Sequence, residues 1–258
     1  MFVVLAILFG AVTGSFLNVC ILRLPKEESL WTPGSHCMSC HEPIRWFENI
    51  PVLSFLFLNG RCRHCHEQIS WQYPIIEFLS AAIFVLYAQV FGFTPAGIFY
   101  LAATLAFLVV SLIDFRYQII PDEISLPGIV IALLASTVFP GIQGEGVWWA
   151  GFLKSVLGIL AGGGFLYVAG TIAEKIMKKE AMGGGDVKLA AMIGALTGLP
   201  GAVWTIFVAS LLGSVVGLYL RLKKGEEKIP FGPYLAAACV LYFFYGQKFI
   251  VWYLGGFR

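Results

Sequence analysis

The stretch A96-G-I-F-Y-L-A-A-T-L-A-F-L-V-V-S-L-I-D114 decides the fold. Eighteen uncharged residues precede its aspartate. Coiled as a helix rising 1.5 Å per residue, they reach about 27 Å, close to the roughly 30 Å of a hydrocarbon core. Runs of this kind recur along almost the whole chain. Of 258 residues, 59% are hydrophobic and 12% charged, and the mean hydropathy is +0.83. A soluble domain carries about 25% charged residues, so water is not the main solvent here. The expected fold is all-α, a polytopic membrane bundle of about eight transmembrane helices. They are placed near residues 2–22, 73–91, 96–115, 123–139, 148–173, 186–199, 201–220 and 233–254.

Charge sets the expected orientation. The first apolar run begins at Met1 with no basic residue before it, shows no cleavage site, and is followed by Arg23 and Lys26. It reads as a retained helix with its N-terminus outside. That choice puts Arg23 to Arg63, Arg116, Lys175 to Lys188 and Arg221 to Lys228 in the cytoplasm, which is 14 of the 17 Lys and Arg. Lys154, Lys248 and Arg258 stay outside, as the positive-inside rule favours. A net charge of +2, with basic residues scattered beside apolar runs, argues for lipid as the partner and against nucleic acid.

Residues 23–72 form the one sizeable polar segment, with four of the six cysteines and all four histidines. C37-M-S-C40 and C62-R-H-C65 are two Cys-x-x-Cys knuckles, 21 residues apart. That spacing points to tetrahedral Zn²⁺ held by Cys37, Cys40, Cys62 and Cys65. The ion is expected to be structural, supplying folding free energy to a loop too polar for a core of its own. Disulfides are the competing reading, disfavoured in a reducing compartment. His36, His41, His64 and His66 flank a coordination sphere that four thiolates already fill, and Cys20 and Cys239 read as small apolar residues.

Ionisable groups at the ends of apolar helices mark candidate chemistry. Asp114 closes the run quoted above, and Asp186 follows Gly183-Gly184-Gly185 and opens the sixth helix. Topology brings both to the cytoplasmic interface. Two carboxyls a few ångströms apart share one proton, which suits activation of water against a peptide carbonyl. Simpler roles stay open: Asp186 as a helix cap, and Asp114 paired with Arg116 or a neighbouring helix. Asp122 and Glu123 read as acids complementing the dipole of the fourth helix. Glycines four apart (Gly10 and Gly14, Gly158 and Gly162, Gly194 and Gly198, Gly213 and Gly217) read as helix packing. Pro127-Gly128 reads as a bend in the fourth helix.

These motifs resemble those of the bacterial type IV prepilin peptidases, intramembrane aspartic proteases with a G-x-G-D motif. The likeness runs through G14-S-F-L-N-V19, N49-I-P-V-L-S54, both knuckles, Y73-P-I-I-E77, D114-F-R-Y-Q-I-I-P-D122, G183-G-G-D186 and P230-F-G-P-Y234. The resemblance implies that Asp114 and Asp186 are catalytic. It implies prepilin or pseudopilin substrates, whose short basic leader is cut after a glycine where their apolar helix enters the membrane from the cytoplasm. It also implies N-methylation of the new amine from S-adenosylmethionine, for which Asn18 and Glu77 are the polar candidates. On this reading residues 1–22 are the first transmembrane helix, 23–72 the Cys₄ segment and 73–258 the peptidase core, in a bacterial inner membrane. A transporter or ion or proton channel using the same acids is the rival from another class, and a zinc-bearing scaffold is a third.

Overall fold

The structure is a computed structural model and describes residues 2–178, 182–224, 230–246, 248–250 and 252. Its helices are α1 (Phe2–Arg23), α2 (Leu53–Phe57), α3 (Gln72–Val90), α4 (Pro95–Tyr117), α5 (Asp122–Val138), α6 (Trp148–Ile159), α7 (Phe165–Met177), α8 (Gly184–Lys224) and α9 (Gly232–Leu241). Among the described residues there is no strand beyond two isolated bridges, His36 with Pro43 and Arg61 with Gln68. The all-α expectation therefore holds. Five helical stretches are long and apolar enough to cross a membrane: Phe2–Lys26, Gln72–Val90, Pro95–Tyr117, Trp148–Met177 and Gly184–Leu220. Lys179, Lys228, Arg258 and the last stretch of the eighth expected helix lie outside the described residues.

Local chemistry sets the helix ends. Pro95 opens α4, where its missing N–H costs nothing. The helix closes as Gln118 turns left-handed (φ 54°) and returns its N–H to the Asp114 carbonyl at 2.9 Å. Pro121 then caps α5, whose first turn holds Asp122 and Glu123, as expected of acids near a positive helix end. Large apolar side chains such as Phe9 and Val12 on α1 and Val130 and Leu134 on α5 are exposed, the pattern of helices solvated by lipid.

The chain divides into two compact units, Met1–Leu101 and Ala102–Arg258. In the first, α1 and α3 pack through glycine: a Cβ on Gly10 would lie 2.6 Å from the Ala81 Cα, and one on Gly14 2.6 Å from the Glu77 Cα. Small residues here let two backbones touch.

In the second unit, α6 and α7 form one rod interrupted by a π turn at Leu160–Gly164. This rod meets α8 at the closest backbone approach, where a Cβ on Gly158 would run into the Gly194 carbonyl. Gly158→Ala is expected to destabilise the protein by about 1–3 kcal/mol through overpacking. Gly164→Ala, which meets nothing within 4 Å, is expected to be neutral or mildly stabilising. Thermal unfolding of the two purified variants in one detergent checks the contrast.

The expected boundary between the sixth and seventh helices falls inside α8. Gly198 (φ 70°, ψ −174°) adopts a backbone open essentially to glycine alone, and Pro200 follows. A Cβ on Gly201 would lie 2.9 Å from the Tyr242 ring, whereas one on Gly213 would lie 3.5 Å from Tyr234. The arm after Gly198 thus runs antiparallel to α9, back toward the end where Asp186 begins α8. The helical ladder breaks at the reversal, and side chains replace it. The Ala195 carbonyl accepts from Ser136 Oγ (3.2 Å), Gln143 Nε2 (2.9 Å) and Ser155 Oγ.

Candidate active site and metal centre

Three helix ends in the second unit build the site. Asp114 is buried in the last turn of α4, and Asp186 is half-buried in the first turn of α8. Gly185, next to Asp186, and Gly232, next to the Asp114 carboxyl, both stand against Ile120, which brings the two aspartates to one place. The third end is the start of α9, whose Gly232 N–H donates to Asp114 Oδ2 at 3.0 Å. A Cβ on Gly232 would sit 2.8 Å from that same oxygen, so any larger residue displaces the carboxyl from this N–H. The positive end of α9 is thereby aimed at a carboxyl.

One side chain links all three. Ile120, in the turn between α4 and α5, fills the space that a Cβ on Gly185 (2.8 Å from Ile120 Cβ) or on Gly232 (3.2 Å from Ile120 Cδ1) would occupy. Of the glycine run before Asp186, it is Gly185 that admits this close approach. Outside the cluster, Lys188 Nζ holds both Asp122 oxygens, at 2.7 and 2.8 Å, and so ties the start of α8 to the start of α5.

The simpler roles left open for the two aspartates fare differently. Among the described residues Asp114 makes no ion pair, with Arg116 or otherwise; its partner is a backbone N–H. The Asp186 N–H turns back to the Gly183 carbonyl at 3.1 Å. Sequence reading quoted P230-F-G-P-Y234 without giving Gly232 a task. A glycine directly before a proline at the start of an apolar helix was the available signal, because that combination leaves unpaired N–H groups.

The cysteine segment lies in the first unit and is built from two copies of one turn. Cys37 N–H donates to the Glu42 carbonyl (2.9 Å) and His41 N–H to that of Cys37 (2.9 Å); Cys62 with Glu67 (2.8 Å) and His66 with Cys62 (3.0 Å) repeat the pattern. His41 and His66 are both left-handed, with φ 59°. The sequence carries this repeat as C-x-x-C-H-E at 37–42 and at 62–67, a signal beyond the knuckles themselves.

The four sulfur atoms lie within 4.8 Å of one another, with Cys37 Sγ and Cys65 Sγ 3.8 Å apart. Four sulfurs about 2.3 Å from one Zn²⁺ stand roughly 3.8 Å apart, so the donor set fits tetrahedral zinc. All six cysteines are free thiols. The Cys40 backbone N–H holds the Cys37 thiol down to about 7. At Cys65 the Glu67 N–H also lowers, but desolvation and the three neighbouring thiols outweigh it and push the group up to about 12. Crowded thiols of this kind resist losing their protons until a cation balances them.

Asn18 and Glu77 are buried at 1% and 6% exposure. Asn18 Nδ2 donates to the Gly14 and Tyr73 carbonyls, both at 3.2 Å, and its Oδ1 accepts from Gln72 Nε2 at 3.3 Å. Glu77 Oε2 accepts the Val52 N–H at 2.7 Å. Both residues join α1, α3 and the loop, the structural alternative to a cofactor contact.

Comparison with known proteins agrees with this picture. Residues 8–91 match the bacterial peptidase A24 N-terminal domain, and residues 101–218 match the type IV leader peptidase family. The relatives named prepilin leader peptidase/N-methyltransferase include three from different species. That of Xanthomonas campestris pv. campestris is 34% identical over 95% of this chain and 92% of its own. That of Pseudomonas putida is 33% identical over 92% and 88%, and that of Pseudomonas aeruginosa 35% over 100% and 96%. No solved structure matches. With aspartates at two helix ends, a Cys₄ cluster in its N-terminal unit and relatives alike over nearly their full length, the chain belongs to the type IV leader peptidase family.

Proposed function

We propose that the protein cleaves the basic leader of type IV prepilins or pseudopilins by a two-aspartate mechanism at the cytoplasmic face of the inner membrane. The observation that carries this reading is the meeting of Asp114, Asp186 and the Gly232 N–H at adjoining helix ends. One carboxylate draws a proton from water as the water oxygen attacks the peptide carbonyl carbon. The other, protonated, donates a hydrogen bond to the developing oxyanion. The C–N bond then breaks, with a proton passing to the departing amine. Gly232 fixes one oxygen of Asp114, so orientation is set before substrate arrives. The apolar part of a prepilin can remain in lipid while its charged leader stays in water. The test is conversion of a purified prepilin to its mature form by the protein in detergent or nanodiscs. Family membership lends nothing to the transporter reading.

The names of the relatives support a second step, N-methylation of the new N-terminus, with S-adenosylmethionine as donor. Asn18 and Glu77 are the proposed polar contacts for the donor, whose binding would share or displace the helix and turn hydrogen bonds that they make. Mass spectrometry of processed substrate from cells is expected to show a methylated N-terminal residue. A free amine throughout removes this half of the proposal. The Cys₄ cluster is assigned structural zinc, which would fix both knuckles.

A further inference from the structure

The apolar face of α2 is exposed in a segment that sequence reading treats as polar loop. From Asn49 to Gly60 no residue is charged. Phe55 turns inward onto Trp71, with ring centroids 4.9 Å apart, whereas Leu53, Leu56 and Phe57 are 50%, 61% and 81% exposed. Three observations say what covers them.

The first is depth. The Val52 N–H is held by Glu77, whose backbone packs on Gly14 of α1, where a Cβ would lie 2.6 Å from the Glu77 Cα. Glu77 is five residues into α3, about 7.5 Å along its axis, and Gly14 is nine residues, about 13.5 Å, inside the basic end of α1 at Arg23. The turn before α2 therefore reaches back alongside the two spanning helices, to the depth at which interfacial segments lie.

The second is hydrogen bonding. Ile50 N–H is taken by Ser54 Oγ (2.9 Å), Val52 N–H by Glu77, Leu53 N–H by the Pro51 carbonyl (2.6 Å) and Ser54 N–H by that of Ile50 (3.0 Å). Pro51 has none to satisfy. Val52 itself sits at φ 62°, ψ −48°, the centre of a rare, strained γ-turn that the buried carboxylate holds in place. Backbone that pairs all these donors internally is what a site without water requires.

The third is continuity. Trp31, elsewhere in the same segment, lies against Phe16, an exposed apolar residue of α1, with ring centroids 6.5 Å apart. Tryptophan at such a place marks the membrane interface.

From these we infer that residues 50–57 form a re-entrant segment whose Leu53, Leu56 and Phe57 face is inserted into the lipid of the leaflet that α1 leaves at Arg23. The Glu77 carboxylate anchors it, and the cysteine knuckles stand on it at the surface. The occupant of the face is the acyl region of the bilayer. The competing occupants are the apolar helix of a prepilin and a second protein surface.

Photocrosslinking on the full chain in nanodiscs of a single phosphatidylglycerol decides between them. Phe57, and separately Leu56, is replaced by p-benzoylphenylalanine, with Leu134 on α5 as the lipid-facing control and Met38 in the first knuckle as the surface control. Lipid adducts at 57 and 56 at a yield within about two-fold of position 134, and at least ten-fold above position 38, are the expected result. Adducts to protein at 56 and 57, whether prepilin or another copy, overturn it, as does absence of lipid adducts where position 134 reacts. Cleavage by the same samples is read in parallel, so failure of this placement stays distinct from failure of the peptidase reading.

Discussion

Asparagine in place of Asp114 or Asp186 is expected to lower the rate of prepilin cleavage by about 10³-fold or more. The substitution is nearly isosteric, and at 114 the side-chain oxygen can still accept the Gly232 N–H, so geometry survives while proton transfer does not. On the proposed mechanism the two carboxyls act on one water, so the losses should not add, and the double variant is expected to be no slower than either single one within about two-fold. The measurement is single-turnover conversion of a prepilin at matched protein concentration, with membrane insertion and metal content as controls. Cleavage persisting in either single variant removes the two-aspartate mechanism. Lys188→Ala is the useful contrast. Its pair with Asp122 is 39% and 53% exposed, so its loss should cost under about 1 kcal/mol of stability.

Loss of the metal should act on folding before chemistry. Wild-type protein is expected to carry one zinc per chain, and replacement of Cys37 and Cys40 by serine together is expected to abolish it. In small zinc domains the ion contributes on the order of 10–16 kcal/mol, because the site does not exist without the fold. Here the four sulfurs bring the two knuckles together, and Arg63 of the second also reaches Glu48, in the turn beyond the first, at 3.1 Å. Limited proteolysis should therefore cut the 23–72 segment at least ten-fold faster in the double variant. Elemental analysis that finds no metal in the wild-type protein overturns the assignment. His36, whose Nδ1 lies 2.9 Å from the Gly34 carbonyl, is expected to be replaceable by alanine without loss of zinc.

Much of this architecture was legible from apolar runs that end at charges or at glycine and proline. Asp114 closing one run, and Gly198-Leu199-Pro200 dividing another, needed only helix length and breaker chemistry. The knuckles were legible because metal ligands must come in fixed spacings. What stayed hidden depends on meetings between distant residues. Gly232 and Asp114 are far apart in sequence, and no periodicity announces an N–H aimed at a carboxyl. Asn18 and Glu77 are a different case: a polar residue in an apolar helix reads as functional, and here the same polar atoms also hold helices and a strained turn. The helix at Leu53–Phe57 was missed because four apolar residues and a serine, two positions after a proline, are too few for a helical period to emerge.

The reversal at Gly198 bears on the lipid around the enzyme. The arm that carries Asp186, Gly184–Thr197, has fourteen residues and spans about 21 Å, well short of a hydrocarbon core of roughly 30 Å. Lipid does not meet that shortfall, because Leu189, Ile193, Ala195 and Leu196 are buried among neighbouring helices. A half-crossing rod is tolerated where protein surrounds it, and its broken end is closed by side chains instead of by water.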